Sequence, residues 1–429
     1  MSSAFFGVSL VLLAGGIPIF VTLCLAVLVS VWLDGMMPTT IIVERMFAGV
    51  DKWALMAIPF FILTGNLMAS GGVSKRIIRL ANLLVGRVTG GLGMTAVTAS
   101  MFFSAISGSA PATVVAVGKL LFPALTEGGY SRSFSIGVLT ASGSLGVIIP
   151  PSLVMIVYAA VTGVSVGALF LAGVGAGMVY GLCFIGYCWY YARKHNVPKT
   201  GAPTWAEIWD AAKDASWGLG VPFLVIGGIY GGVFTPTEAA AVAVVYAGFV
   251  ALAIHREQTL AEFFDVLVSS ATTTAQVMIM LSAASVLSWF LTVNGLAIEL
   301  SQAILSFGSD PVSIFMLINV TVLIAGMFLD AASIMVILGP LFYKIGNQVG
   351  IDPIHLGVVL TVNGAIGMFT PPFGLNLFVA SSVGDVTYGE AVKGALPFIA
   401  VALVALVLIT YVPEVSMWLP SQAYEGVGR

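Results

Sequence analysis

Residues 107–173 of the chain recur, weakly but without a gap, as residues 328–394, a constant 221 positions later. The clearest shared feature is a double proline, Pro150-Pro151 in the first copy and Pro371-Pro372 in the second. Paired glycines keep the same register, at Gly118/Gly339, Gly129/Gly350, Gly143/Gly364, Gly146/Gly367, Gly163/Gly384 and Gly173/Gly394. Because proline and glycine interrupt helices, this pattern predicts two copies of one interrupted helical unit.

The sequence around these interruptions is apolar enough for a membrane. Of 429 residues, 59% are hydrophobic and 8% are charged, whereas soluble domains average about 25% charged residues. Apolar stretches such as 169–191 and 395–412 are, or approach, the roughly 20 residues that a helix needs to cross a bilayer. Their length excludes an outer-membrane barrel, whose strands alternate over about ten residues. We therefore expect an all-α polytopic membrane protein in contact with the lipid bilayer.

Composition also limits the kinds of ligand and activity that the chain is expected to have. A net charge of -3 gives no indication of a nucleic-acid partner. The cysteines Cys24, Cys183 and Cys188 have no spacing typical of a disulfide framework or a metal site, so we expect no transition metal and no organic cofactor. The histidines His195, His255 and His355 all lie near predicted span ends, and no catalytic pair of an intramembrane hydrolase is evident. The chain is not predicted to be an enzyme.

The first apolar stretch, residues 4–33, leaves two interpretations open. It lacks a basic start and a cleavage site, so we interpret it as retained rather than as a secretory signal. It is either one long helix broken at Pro18 or two short helices. The side of the membrane on which the N-terminus lies stays open for the same reason.

The polar stretch around residues 193–217 divides the chain into halves. We predict a first repeat over residues 1–200, an amphipathic connector lying in the membrane interface over 201–217, and a second repeat over 218–429. Within the first repeat we expect a re-entrant helical hairpin at about 90–125 and a discontinuous helix at about 131–163. The corresponding elements of the second repeat are expected at about 311–345 and about 354–383.

Charges predict that the two repeats are inverted. Lysine and arginine favour the cytoplasmic side of a membrane. Before the first hairpin the chain carries Lys75, Arg76, Arg79 and Arg87, whereas the equivalent residues 296–310 have no basic residue and include Glu299 and Asp310. The first half ends in Arg193, Lys194 and Lys199, but the second ends in Glu414, Glu425 and a lone Arg429. A parallel repeat would show matching charges, so we expect the hairpins to enter from opposite sides.

The interruptions predict a site for a cation and an anion together. Free carbonyls at broken helices coordinate cations, and half-helix N-termini favour anionic groups. In the first half the oxygen donors are Ser104, Ser107 and Ser109, facing the backbone of Ser142, Gly143, Gly146 and Pro150. In the second half they are Asp330 and Ser333, facing Thr361, Asn363, Gly364 and Thr370.

Asp330 is the most informative single residue, and it has two compatible interpretations. A carboxylate at mid-membrane costs about 2.5 to 3.5 kcal/mol on insertion scales, so it normally faces a cavity or a partner. It could equally be the N-cap of the second hairpin arm. The serines have a similar alternative, since a membrane serine often bonds a carbonyl of its own helix. For Glu238, in Thr235-Pro236-Thr237-Glu238, we expect helix capping rather than a contact with moving parts.

Three segments together resemble the large membrane subunit of tripartite ATP-independent periplasmic (TRAP) transporters. They are the tip at residues 107–113, the paired Gly-x-x-x-Pro-Pro breaks at 146–151 and 367–372, and Gly-Gly-Val-Phe-Thr-Pro-Thr-Glu-Ala-Ala at 231–240. The resemblance covers essentially the whole chain. It implies a sodium-coupled symporter of organic acids in the bacterial inner membrane that works by an elevator motion. It also implies two partners, a periplasmic substrate-binding protein and a small four-helix membrane subunit, the latter expected as a separate chain.

The resemblance also implies site residues. A first sodium ion is expected at Ser104, Ser107, Ser109, Gly143, Gly146 and Pro150. A second is expected at Gly326, Asp330, Ala331, Asn363 and Thr370. The substrate is expected to contact Ser107, Ser109, Ser152, Asp330 and Asn376. No substrate-binding arginine is visible at either tip, so hydroxyls, backbone donors and sodium are expected to hold the carboxylate.

The substrate and the transport mode have alternatives. Sialic acid is the first expectation for the substrate, and a C4-dicarboxylate-like acid is the second. A stand-alone sodium- or proton-coupled anion symporter that needs no binding protein is the main alternative function. A passive channel is disfavoured, because hairpins with paired breaks suit alternating access better than a continuous pore.

Overall fold

The computed structural model describes residues 2–35, 37–197, 204–295, 302 and 310–424. Every regular element in these ranges is helical. The first half comprises α1 (Ser2–Ala14), α2 (Ile19–Asp34), α3 (Thr40–Val50), α4 (Ala57–Ser70), α5 (Val73–Val85), α6 (Gly91–Ser107), α7 (Ala110–Glu127), α8 (Arg132–Gly143), α9 (Leu153–Thr162) and α10 (Val166–Lys194). The second comprises α11 (Trp205–Tyr230), α12 (Pro236–Phe249), α13 (Leu260–Val293), α14 (Pro311–Gly326), α15 (Ala331–Ile337), α16 (Gly339–Gln348), α17 (Pro353–Gly367), α18 (Leu375–Gly384), α19 (Tyr388–Tyr411) and α20 (Glu414–Tyr424).

The described residues include helices of membrane-spanning length. Six are long and apolar enough to cross a bilayer, among them α10, α13 and α19. Shorter apolar helices of 10–17 residues include α6, α9, α14, α17 and α18. These five helices belong to the predicted hairpins and discontinuous helices, which agrees with segments that turn back or break before crossing, although the hairpin arm α7 is of spanning length. The prediction of an all-α polytopic membrane chain is confirmed at this level.

Element bounds follow the 221-residue offset. The first hairpin is α6 and α7, ending at Glu127, and the second is α14 to α16, ending at Gln348. The second arm of the second hairpin is divided at Leu338, because Pro340 lacks the N–H that a continuous helix would use. The discontinuous helices are α8 with α9 and α17 with α18, and each is interrupted at a cis Pro-Pro bond. These bounds lie within a few residues of the predicted ones.

The N-terminal apolar stretch forms two helices rather than one. The chain turns between α1 and α2 at Gly16, whose φ of 75° is readily adopted only by glycine. Pro18 then takes the N-cap position of α2. Both helices pack with α13 through an apolar cluster that includes Phe5, Val27 and Phe290.

The predicted connector is not a separate element. Residues 205–217 are the first part of α11, which continues without interruption to Tyr230. The amphipathic pattern ends near Trp217, but the backbone hydrogen bonds continue, so a change of surface polarity does not end this helix. Predicted connector residues 201–203 lie outside the described residues, as do Lys199, Glu299, Glu425 and Arg429 of the charge comparison.

Thr-x-x-Glu capping boxes start several helices. In each box the threonine hydroxyl accepts the glutamate N–H, and the glutamate carboxylate accepts the threonine N–H. The boxes are Thr204/Glu207, Thr235/Glu238, Thr259/Glu262 and Thr387/Glu390. The Glu238 carboxylate lies 2.8 Å from the Thr235 nitrogen, which confirms the expected capping role. The equivalent bond from the Thr204 N–H lowers the pKa of the exposed Glu207 carboxyl.

The outer ends of the two hairpins lie near opposite ends of the long helix α19. Next to hairpin 1, Ser131 bonds Tyr191 near the end of α10 (3.0 Å), and Gly394 near the start of α19 packs on Ser133. Next to hairpin 2, the Tyr411 hydroxyl at the end of α19 donates to the Val312 carbonyl (3.4 Å). Since α19 has 24 residues and rises about 1.5 Å per residue, the outer ends of the two hairpins are well separated. The orientation of the repeats across a bilayer remains a prediction.

Candidate functional site

The tip of hairpin 1 is a short, hydroxyl-rich turn. Gly108 has a φ of 61°, a left-handed conformation that lets the chain reverse between α6 and α7. The Ser107 hydroxyl lies 3.1 Å from the Thr113 hydroxyl, which donates to the Ser109 carbonyl at 2.8 Å. Ser109 occupies the N-cap position of α7, but its side chain makes no capping hydrogen bond. Its half-buried hydroxyl is therefore not committed to the local helix.

This tip packs directly on the interruption of the first discontinuous helix. A Cβ atom added at Gly146 would lie 2.5 Å from the Ser109 carbonyl oxygen, and one added at Gly108 would lie 2.6 Å from the Pro151 carbonyl oxygen. One added at Gly143 would overlap the Val114 side chain. The structure thus brings together the predicted residues Ser109, Gly143, Gly146 and the Pro150-Pro151 bond.

Asp330 caps the second arm of hairpin 2. Its Oδ1 accepts hydrogen bonds from the backbone N–H groups of Ala332 (3.0 Å) and Ser333 (3.1 Å), and its Oδ2 accepts one from the Ser333 hydroxyl. The N-cap interpretation is therefore confirmed, and the carboxylate is half-buried. Asp330 occupies the same N-cap position in hairpin 2 as Ser109 does in hairpin 1.

The tip of hairpin 2 packs closely on the second discontinuous helix at positions occupied by glycine and alanine. A Cβ atom at Gly367 would lie 2.5 Å from the Gly326 Cα, and one at Gly364 would lie 3.0 Å from the Ala331 Cβ. Thr370, just before the double proline, donates its hydroxyl proton to the Ile366 carbonyl at 2.7 Å. Gly326, Ala331, Gly364 and Gly367 therefore form one contact, equivalent to that of the first half.

Behind each tip, the first hairpin arm bonds the first part of the discontinuous helix. In the first half the Ser100 hydroxyl donates to the Ser142 hydroxyl at 3.0 Å. In the second half the Asn363 amide donates to the carbonyl and side-chain oxygens of Asn319, each at 3.0 Å. The residues Ser142 and Asn363 are equivalent under the 221-residue offset. The same contact is thus made by hydroxyls in one half and by amides in the other.

Several buried oxygens of the site have no protein partner. Ser104 Oγ, Asn363 Oδ1 and Asn376 Oδ1 lack a hydrogen-bond partner, and all three residues are fully buried. Leaving such a group unsatisfied costs about 1 to 3 kcal/mol, so buried oxygens normally bind something. Neutral oxygens of this kind are ligands for a hard cation. The donor set of the two predicted sodium sites therefore fits such an ion.

The remaining predicted substrate residues, Ser152 and Asn376, follow the double prolines. Ser152 is the N-cap of α9 and accepts the Met155 N–H at 3.3 Å, while its hydroxyl donates to the Val147 carbonyl. The Asn376 amide reaches the Thr140 carbonyl of the other half at 3.5 Å. Ser107 and Ser109 lie together at one tip, and Asp330 lies at the other.

Three residues of this network were not among the predicted site residues. Thr113 holds the first tip through Ser107 and Ser109. Asn319 bonds Asn363 and also donates to the Thr410 hydroxyl at 3.2 Å. Thr140 accepts from Asn376. Thr113 follows Ser109 by one helical turn, and Asn319 is a single amide in an apolar helix, so both carried a detectable sequence signal.

A family model matches nearly the whole chain. It describes the DctM component of the tripartite ATP-independent periplasmic transporter and matches residues 6–415. The large C4-dicarboxylate TRAP permease protein of Vibrio cholerae is 41% identical over 427 residues, covering 95% of this chain and 94% of that protein. The isethionate TRAP permease DctMQ of Oleidesulfovibrio alaskensis is 39% identical, covering 96% of this chain and 65% of that protein.

A solved structure shares the fold. The YdaH transporter of Alcanivorax borkumensis superimposes with a TM-score of 0.62 at 15% identity, covering 86% of this chain and 87% of that one. At that identity the likeness concerns the arrangement of helices only.

Proposed function

The chain belongs to the DctM component family of tripartite ATP-independent periplasmic transporters, and we propose that it drives sodium-coupled uptake of an organic acid. It is a large transport permease, which is a non-enzyme role, and a multi-pass membrane protein. The observation that carries the proposal is the equivalent contact of each hairpin tip with its own broken helix. Each contact gathers backbone oxygens, and a buried side-chain oxygen without a protein partner lies in each half.

Sodium is the coupling ion that these donors suit. Unwound backbone and half-helix ends bind sodium or protons in transporters with broken helices. In the second half the Asn363 side-chain oxygen is buried without a partner, and Asp330 supplies a negative charge at the adjoining tip. In the first half the Ser104 hydroxyl oxygen is likewise buried without a hydrogen-bond partner. We propose one sodium ion at each tip and the substrate carboxylate between them.

The substrate is proposed to be a small organic anion. One relative is named for C4-dicarboxylates and another for isethionate, and both ligands are short anions. A C4-dicarboxylate is therefore the first substrate to test, and sialic acid is the second. Hydroxyls at Ser107, Ser109 and Ser152 and the amide of Asn376 are the proposed neutral contacts for the anion.

The partners are proposed from the family. The family name implies a periplasmic binding protein that delivers the substrate, and the DctMQ name of one relative supports a small membrane partner. We propose that these act with this chain in the bacterial inner membrane. The hairpins are proposed to form two inverted repeats that expose the site alternately by an elevator motion. Their separation along α19 supports this arrangement.

The deciding experiment is uptake of labelled succinate into proteoliposomes that contain the chain and its small partner. Uptake is expected only with an inward sodium gradient and a succinate-loaded binding protein. A potassium gradient of equal size is the control for ionic strength and membrane potential. Uptake that is independent of sodium would refute the coupling mechanism. Uptake without a binding protein would favour the stand-alone symporter instead.

A further inference from the structure

Two cavities lie beside the second arms of the hairpins, at equivalent positions of the two halves. The hairpin-1 cavity, of about 600 Å³, is bounded by α7 on one side and by α4 and α5 on the other. The hairpin-2 cavity, of about 380 Å³, is bounded by α15 and α16 on one side and by α1, α2 and α13 on the other. Their hairpin walls correspond at the 221-residue offset, with Ala116, Lys119 and Leu120 matching Ile337, Pro340 and Leu341.

The two cavities differ in chemistry although they share this position. The wall facing hairpin 1 contains Asn66, Ser70, Ser74 and Lys75. The wall facing hairpin 2 consists mainly of apolar side chains, such as Phe5, Phe6, Leu13, Leu287 and Leu291. Water enters cavities that offer polar partners and leaves purely apolar ones empty. Of the two cavities, the hairpin-1 cavity is therefore the better suited to an aqueous path for an ion.

The charge in the hairpin-1 cavity is positive. Lys75 on α5 and Lys119 on α7 line opposite walls, and no carboxylate of the described residues lies within 4.0 Å of either. The acid that does line the cavity, Glu257, is already paired with Arg76 at 2.8 Å. Ser74 is 6% exposed, and its buried hydroxyl has no hydrogen-bond partner. Two free ammonium groups and a free hydroxyl are the complement of a carboxylate.

The position of the cavity connects the substrate site with the basic side of the protein. It begins at Pro111, next to the Ser109 tip, and extends along α7 to Leu120. Its other wall reaches α5, which carries Lys75, Arg76 and Arg79 in the segment that the distribution of basic residues assigns to the cytoplasm. An anion leaving the first tip along α7 would pass both lysines.

We propose that the hairpin-1 cavity is the cytoplasmic exit route of the organic anion and that Lys75 and Lys119 hold the anion transiently on this route. This inference rests on the proposed transport function. One lysine belongs to α5, outside the hairpin, and the other belongs to the hairpin. The pair would therefore separate when the hairpin moves relative to α5, which would release the anion.

Thiol reactivity tests the route without requiring transport. In a variant lacking Cys24, Cys183 and Cys188, A116C is placed in the hairpin-1 cavity, and I337C at the equivalent position of the hairpin-2 cavity. Inside-out vesicles are treated with an anionic sulfonate methanethiosulfonate and with its cationic trimethylammonium analogue. A116C should react about tenfold faster with the anionic reagent, because a positive cleft concentrates anions. I337C should react slowly with both.

The lysines are then removed in the A116C background. The double substitution K75Q/K119Q should bring the ratio of the two rates close to one, whereas K75R/K119R should preserve the preference for the anion. K344Q, which removes a lysine lining the hairpin-2 cavity, is the matched control and should change nothing. A116C that reacts only in right-side-out vesicles, or a rate ratio unchanged by K75Q/K119Q, would overturn the proposal.

Two further experiments measure succinate transport and the effect of lipid composition. In succinate counterflow, K75Q/K119Q should raise the half-saturating concentration about tenfold on the cytoplasmic side and leave the external value unchanged. Equal change on both sides would overturn the exit role. An anionic reagent preference seen only in phosphatidylcholine vesicles, and lost with added phosphatidylglycerol, would assign the lysines to a lipid headgroup instead. Absence of succinate counterflow in the wild type would refute the proposed substrate, while the thiol result would still decide the route.

Discussion

At the scale of single residues, the two halves use the same position for different chemistry. Ser109 and Asp330 both precede the second arm of a hairpin, but only the Asp330 side chain caps the helix that follows. The Asp330 carboxylate therefore caps the helix through Oδ1. It also brings a negative charge to the tip of hairpin 2, where Ser109 brings none to the tip of hairpin 1. A substitution that separates these two contributions shows which of them transport requires.

Replacing Asp330 by asparagine should preserve the cap and remove the charge. Asparagine caps helices as well as aspartate does, so D330N should melt close to the wild type. If the charge contacts sodium, its loss removes at least about 1.5 kcal/mol, which is about a tenfold rise in the half-saturating sodium concentration. Sodium dependence of succinate uptake measures this change.

D330A supplies the comparison. It removes both cap and charge and should lower the free energy of unfolding by about 1 kcal/mol relative to D330N. Thermal unfolding in detergent would detect this as a lower melting temperature. Wild-type sodium dependence in D330N would show that Asp330 only caps the helix.

At the scale of elements, each hairpin approaches its broken helix so closely that only glycine fits. Gly146 meets the Ser109 carbonyl in the first half, and Gly367 meets Gly326 in the second. The pair Gly146/Gly367 is therefore explained by contact between elements, whereas the pair Gly129/Gly350 is explained by positive φ. Close approach also brings backbone oxygens of the tip near those of the interruption.

A methyl group at this contact should disturb the site. In G146A the new Cβ would lie 2.5 Å from the Ser109 oxygen, so the tip must shift, at a cost of about 1 to 3 kcal/mol. We expect lower thermal stability together with a loss of sodium-driven uptake. G186A is the matched control, because it places the methyl group on α10 with no atom within 4 Å. Equal behaviour of the two variants would contradict this packing argument.

At the scale of the whole molecule, the two hairpins lie near opposite ends of α19. Gly394 near the start of α19 packs on Ser133, next to hairpin 1, and Tyr411 at the end of α19 donates to the Val312 carbonyl of hairpin 2. In the inverted arrangement that we propose, one hairpin would open toward each side of the membrane. On the proposed elevator motion, the polar hairpin-1 cavity would be the open route and the apolar hairpin-2 cavity the closed one.

Opposite entry of the hairpins predicts opposite accessibility of their ends. Glu127 and Gln348 end the second arms, are exposed, and are equivalent at the 221-residue offset. In the cysteine-free variant, E127C should react with a membrane-impermeant maleimide only from the cytoplasmic face, and Q348C only from the periplasmic face. Labelling in right-side-out and inside-out vesicles measures this. Reaction of both from one face would indicate a parallel repeat.

Local sequence signals were sufficient to predict the order of the elements. Proline and glycine act within one or two turns of the helix that contains them, so the double prolines and the tip at 107–113 predicted hairpins and breaks within a few residues. The connector was predicted too short because it was read from a local amphipathic pattern alone. Its amphipathic pattern ends near Trp217, whereas α11 continues to Tyr230 on backbone hydrogen bonds that any residue type can make.

The amino-acid sequence alone therefore determined that this is an apolar, duplicated chain with paired interruptions, and it was sufficient to recognise the family. Only the tertiary structure decided which oxygens are satisfied and which remain free. Asn363 bonds Asn319 across 44 positions, and Asn376 reaches Thr140 across 236. The difference between the two cavities also depends on which helices face each hairpin. Such pairings depend on contacts between distant segments, and no local pattern encodes them.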